Sequence, residues 1–70
     1  MTPEIQITLN GAPWTVERGM TVEQLVEGRG LPRERVAVER NREIVRRTEW
    51  GGVVLEAGDV VEIVHFVGGG

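Results

Sequence analysis

The chain has 70 residues, no cysteine and one histidine, with eight basic residues against eleven acidic ones for a net charge of −3. At that length it is one small domain that rests on a single core, without disulfides and without the thiolates of ordinary zinc or iron–sulfur sites. The acidic balance argues against nucleic acid as the main partner, and no apolar run approaches the roughly 20 residues of a membrane span.

The first element alternates Ile5, Ile7 and Leu9 with Glu4, Gln6 and Thr8, the period of a half-buried strand. Asn10-Gly11 follows, and both residues tolerate positive φ, so Trp14 and Val16 are expected on the return strand of a hairpin. Pro13 has no N–H to give to a ladder, which places it at an edge or a strand start.

A helix is expected next, in "MTVEQLVEGRG". Thr21 and Gln24 have capping-box spacing, and Met20 and Leu25 stand where a hydrophobic staple would close. Val22, Leu25 and Val26 share one face, and Gly28 or Gly30 can end the helix in the left-handed conformation.

Two short apolar runs, Val36 to Val38 and Ile44 to Val45, flank Asn41, a turn residue. Thr48 to Trp50 reads as a single turn closed by Gly51-Gly52, Val53 to Leu55 as a short extended piece, and Gly58-Asp59 as a turn. "VVEIVHFV", Val60 to Val67, is the strongest strand signal, with Val61 and Ile63 on one face and Glu62, Val64 and Phe66 on the other. Being apolar on both faces, this strand is expected at the centre of the sheet, parallel to the first strand and separated from it by a helical crossover. One helix on a mixed sheet is an α+β layer arrangement, the β-grasp. The expected organisation is one domain over residues 1–67 followed by a glycine tail, residues 68–70.

Gly68, Gly69 and Gly70 admit two readings. One is fraying or an added scar. The other is a side-chain-free strip that carries the Gly70 carboxylate about 10 Å from the sheet, at roughly 3.3–3.6 Å per residue, into a channel that a Cβ would block. A carboxylate is a poor electrophile, so the second reading requires activation, most simply as an acyl-adenylate made from ATP.

Other candidates reduce to structure. His65 has no nucleophile or carboxylate at recognisable spacing and reads as a strand residue at the sheet margin. Trp14 and Trp50 read as core or core-margin residues. The arginines at 29, 33, 35, 40, 42, 46 and 47, interleaved with Glu34, Glu39, Glu43 and Glu49, read as a solvated, salt-bridged face, with an acidic docking surface on a partner as the second reading. Val64 and Phe66 lie beside the tail and would form a docking patch if nothing covers them.

The strings "VERNREIV" (38–45) and "DVVEIVHFVGGG" (59–70), with "TVEQLV" after a hairpin, are similar to the small ubiquitin-like sulfur carrier proteins of bacterial thiamine biosynthesis, over essentially the whole length. The third glycine, Gly68, departs from the family's terminal pair and lengthens the strip. The resemblance implies that a ubiquitin-activating-type enzyme adenylates Gly70 with ATP, so that no cofactor is bound by the chain itself. It implies that a persulfide charged by a cysteine desulfurase then leaves a thiocarboxylate, and that thiazole synthase takes the sulfur. It further implies that Val64, Phe66 and His65 help to seat the protein on its partners, that Gly68 to Gly70 enter their active sites, that the protein is a cosubstrate and not an enzyme, and that it works in the cytoplasm. Carriers for molybdopterin synthesis or tRNA thiolation share the Gly-Gly end. An interaction module with an inert tail and a protein-tagging modifier are the remaining alternatives.

Overall fold

The computed structural model describes residues 3–66. Strands β1 (Glu4–Leu9) and β2 (Ala12–Glu17) form the expected hairpin, closed by Asn10 and Gly11 at φ 49° and 83°. Two successive positive φ angles give the turn twist that matches paired strands. Helix α1 (Val22–Gly28) follows, then a short 3₁₀ turn (Arg33–Arg35), β3 (Val36–Arg40), β4 (Glu43–Val45), a longer 3₁₀ segment (Arg47–Gly52) and β5 (Val60–His65).

The five strands form one mixed sheet in the order β2-β1-β5-β3-β4. β5 is central: it runs parallel to β1 (Leu9 beside Val61) and antiparallel to β3 (Val38 beside Ile63). This is the β-grasp arrangement expected from the pattern. β2, which contains Pro13, is an edge strand.

The start of α1 is built as its sequence dictates. The Thr21 hydroxyl accepts from the Gln24 amide at 3.1 Å, and the Gln24 side chain accepts from the Thr21 amide at 3.0 Å. Met20 is partly buried against the core cluster that includes Leu25, and the two line one concavity. Gly30, at φ 71°, follows the C-cap in the left-handed conformation. The segment at 53–55 bridges back to this start: Val22 N donates to Val53 O and Leu55 N to Met20 O.

The core lies between α1 and one face of the sheet. It consists of Ile5, Ile7, Leu9 and Val16 from the hairpin, Val22, Leu25 and Val26 from the helix, Val36, Val38, Val61 and Ile63 from the inner strands, and Trp50 and Leu55. Of the two tryptophans, Trp50 takes the core and Trp14 the margin. Trp50 is buried and donates its indole N–H to Val45 O at 2.9 Å, the polar handle a buried indole needs. Trp14 is part-exposed under the guanidinium of Arg29.

The central position of β5 does not make it buried on both faces. Its second face, with Val60, Glu62 and Val64, is open among the described residues. A sheet covered by one helix has one wet face, and centrality here comes from pairing on both sides.

The expectation of a salt-bridged arginine face is corrected. Among the described residues the ion pairs are Arg33–Glu23 at 3.2 Å and Arg40–Asp59 at 2.8 Å. Glu34, Glu39, Glu43 and Glu49 pair with no arginine. Most of them leave from strands or turns where alternation sends neighbours in sequence to opposite faces, so interleaving along the chain does not bring the charges together in space.

Candidate functional site

β5 holds the candidate site because it ends where the chain leaves the sheet. The strand is fixed at its beginning by Asp59, the only aspartate in the chain. Its carboxylate is buried and accepts from Arg40 Nε at 2.8 Å, Asn41 Nδ2 at 3.1 Å and the Glu56 amide at 2.8 Å. Burial alone would push this carboxyl up. The Glu56 amide and the side chains of Arg40 and Asn41 outweigh it, and the pKa lies below the ordinary value. Sequence reading took Gly58-Asp59 as a plain turn. Its side-chain partners Arg40 and Asn41 are 19 and 18 residues away, and no local pattern reports contacts of that separation.

Further along, Ile63 N donates to Asn10 Oδ1 at 2.8 Å, and the last described residue, Phe66, donates its amide to Arg35 O at 2.7 Å. The strand is therefore held on the β1 side as far as Ile63 and on the β3 side as far as Phe66. Gly68, Gly69 and Gly70, and Val67 before them, lie outside the described residues.

Val64 and Phe66 are each 51% exposed, and among the described residues no strand or loop covers them. His65 is exposed too, but strand alternation puts it on the opposite face, in line with Val61 and Ile63. The three docking candidates are thus split, two on the open face and one beyond the rim of the core.

The open face carries more apolar surface than those two residues. Ala37 lies directly beside Val64, and Ile44 on β4 is 69% exposed. Glu39 and Glu62, also directly paired, separate Ile44 from Val64. Ile44 was visible in the sequence as part of an apolar run. The signal that would have placed it outward is the two-residue turn at Asn41-Arg42, which puts Val45 opposite the buried Val38 and therefore Ile44 on the other face.

Among the described residues no three His, Cys, Asp or Glu side chains cluster as a metal site, and no helix is long and apolar enough to cross a membrane. The concavities are shallow. One, of about 170 Å³, lies between β2 and α1 and is lined by Trp14, Met20, Leu25 and Arg29 among others. Among the described residues, the four best-formed concavities have no β5 residue in their lining.

Comparison with known proteins gives a consistent picture. The ThiS family model matches residues 7–70. The chain is 42% identical over 66 residues to the sulfur carrier protein ThiS of Bacillus subtilis, covering 91% of this chain and 98% of that protein. It is 50% identical over 66 residues to part of a thiazole synthase of Magnetococcus marinus, and 41% identical over the same length to part of one from Paramagnetospirillum magneticum. In both cases 94% of this chain is covered, and the chain spans about a fifth (20%) of the length of these longer relatives. The crystal structure of a thiamine biosynthesis protein (ThiS) from Geobacter metallireducens superposes with a TM-score of 0.80 at 33% identity, covering 94% of this chain and all (100%) of that one.

Proposed function

This chain belongs to the ThiS family, and from that membership we propose that it carries sulfur to the thiazole ring of thiamine as a thiocarboxylate on Gly70. The observation that carries the reading is a match that runs through the glycine strip itself, residues 7–70, on a body whose central strand leads into that strip.

The chemistry follows from the carboxyl group. Its negative charge repels nucleophiles and oxide leaves poorly. A ubiquitin-activating-type partner transfers AMP from ATP to the Gly70 carboxylate and releases pyrophosphate. The terminal sulfur of a persulfide, charged by a cysteine desulfurase, attacks the acyl carbon and displaces AMP. Cleavage of the resulting S–S bond by a thiol leaves –COSH, which thiazole synthase consumes. The nucleotide is handled by the partner, and this chain binds no cofactor of its own. The protein is a cosubstrate acting in the cytoplasm, where ATP and persulfide are supplied. The absence of cysteine from the chain supports this division of labour, since the chain has no thiol on which to hold a persulfide. The similarity to a segment of two longer thiazole synthases supports thiazole synthase as the sulfur acceptor, ahead of molybdopterin or tRNA pathways.

In this reading the body positions and the tail reacts. Ordering Gly68 to Gly70 in a partner's channel costs about 1–2 kcal/mol per residue of backbone entropy. Backbone hydrogen bonds in the channel and contact with Val64 and Phe66 offset that cost, and moderate affinity suits a carrier that must leave. His65, on the other face, contributes at the rim of the contact.

Intact-mass spectrometry tests the proposal. Incubation with the activating enzyme, ATP and a sulfur source should raise the mass by the difference between one sulfur and one oxygen. An unchanged mass, with an enzyme that charges another carrier in the same assay, would refute it.

A further inference from the structure

Charge is unevenly spread along this acidic chain. Residues 29–47 hold seven arginines against three glutamates, while all the other residues together hold one arginine against eight acids. The fold then sorts those seven. Arg40 is neutralised by Asp59 and Arg33 by Glu23. Arg29 lies over Trp14, at 5.0 Å from the ring centroid. Arg42 sits in the β3–β4 turn, at the far end of β3 from the tail. Arg46 is exposed just past β4, an edge strand, and makes neither ion pair. Arg35 and Arg47 remain, and backbone contacts tie both to the end of the sheet from which the tail departs.

The carbonyls of residues 33–36 bring them there. Arg35 O accepts from the amide of Phe66, Arg33 O accepts from Arg47 Nε at 2.6 Å, and Val36 O accepts from Arg47 Nη2 at 3.0 Å. Val36 is itself paired with His65. Arg47 also lies over the buried Trp50, 5.6 Å from its centroid. Its protein contacts are neutral, so its position is fixed while its charge is not cancelled. A guanidinium ordered during folding loses little further freedom when it binds. Arg35 is exposed and makes neither of the two ion pairs.

We propose that Arg35 and Arg47 form a cationic collar at the exit of the tail, which docks on a carboxylate-bearing rim around the tail channel of the activating partner. The inference rests on the functional reading above and adds the surface by which that partner recognises this carrier. Reach separates a protein rim from the nucleotide as the group the collar reads. Along an extended path, the four residues from Phe66 to Gly70 span about 13–14 Å at 3.3–3.6 Å each, farther than an arginine side chain extends. The collar therefore lies at the mouth of the channel while AMP transfer takes place at its base. Complementary charge at such a rim acts mainly on the rate of encounter and fades as salt screens it.

The test measures association of the full chain with the activating enzyme by stopped flow at about 0.01 M and 0.15 M ionic strength. Arg35→Glu should slow association about tenfold at low salt, with the gap narrowing at high salt. Arg35→Lys should stay close to the wild type. Arg47→Gln should slow it about threefold at a temperature where the variant is still folded, and should lower the melting temperature as well, because Arg33 O and Val36 O lose their donor. Arg42→Glu, the same charge reversal at the other end of β3, should stay within about twofold. The collar is overturned if Arg42→Glu slows association as much as Arg35→Glu, if Arg35→Glu associates at the wild-type rate, or if salt leaves the gap unchanged. A wild-type chain that the enzyme never charges with sulfur would refute the functional reading itself. A charged wild type with an indifferent Arg35→Glu would refute the collar alone.

Discussion

Val61 and Val64 are the same residue on the same strand, three positions apart. Val61 is fully buried between Leu9 and Arg40, under α1, while Val64 is 51% exposed beside Ala37. The difference lies in which face of the sheet the helix covers. One face of β5 holds the domain together. The other contributes little to stability and is free to meet a partner. In the proposed function, a β-grasp sheet with a single helix thus keeps the requirements of folding and of recognition apart on one strand.

The sharpest way to break that comparison is to put the same charge on both faces. Val61→Asp should cost about 4 kcal/mol or more, because it buries a carboxylate with no built partner. In a domain of this size that is most of the stability available, so the variant should fail to show a cooperative melt. Val64→Asp should change stability by no more than about 1 kcal/mol yet slow charging by the activating enzyme, and Phe66→Asp should behave likewise. Equal loss of stability at positions 61 and 64 would mean that the open face is not open in solution.

Next in size is the anchor at the start of β5. Asp59 has a folded pKa below its ordinary value, so its contribution is present above the unfolded carboxylate pKa of about 3.9 and is lost as pH falls through the folded value. Asp59→Asn should cost about 2 kcal/mol at neutral pH. Its melting temperature should also fall less than that of the wild type between about pH 5 and pH 2. Parallel curves for the two proteins would assign the acid sensitivity to other carboxylates.

Smaller effects probe local sequence. Thr21→Ala removes the hydroxyl that accepts from Gln24 N and should cost about 1 kcal/mol in chemical denaturation. Arg42→Gly should do the opposite. Arg42 occupies φ 72° in the β3–β4 turn, a conformation glycine adopts without strain, so the variant should gain about 0.5–1 kcal/mol.

These cases also show what the sequence could and could not convey. Thr21, Gln24 and Met20 were legible because a helix start is encoded within five residues. The inward and outward faces of β5 were legible because strand periodicity survives in VVEIVH. The central place of β5, parallel to β1, followed from strand character and the crossover rule, whereas the places of β3 and β4 in the order came only with the fold. The role of Asp59 was not legible, since its partners Arg40 and Asn41 arrive by folding from another strand and its turn. The arginine segment misled for the same reason: alternation along the chain suggested ion pairs, but the strands and turns point the interleaved glutamates elsewhere. His65 looked like a neighbour of Val64 and Phe66 in sequence and lies across the sheet from them.

The central claim is that the carboxyl group of Gly70 is the reagent and the folded body presents it. Its most direct test compares the protein carrying a free Gly70 carboxylate with the same protein amidated there, in thiazole formation reconstituted with the activating enzyme, ATP, a sulfur source and thiazole synthase. The account predicts equal melting temperatures, sulfur transfer from the free acid and none from the amide. Transfer by the amidated protein at the rate of the free acid would contradict it.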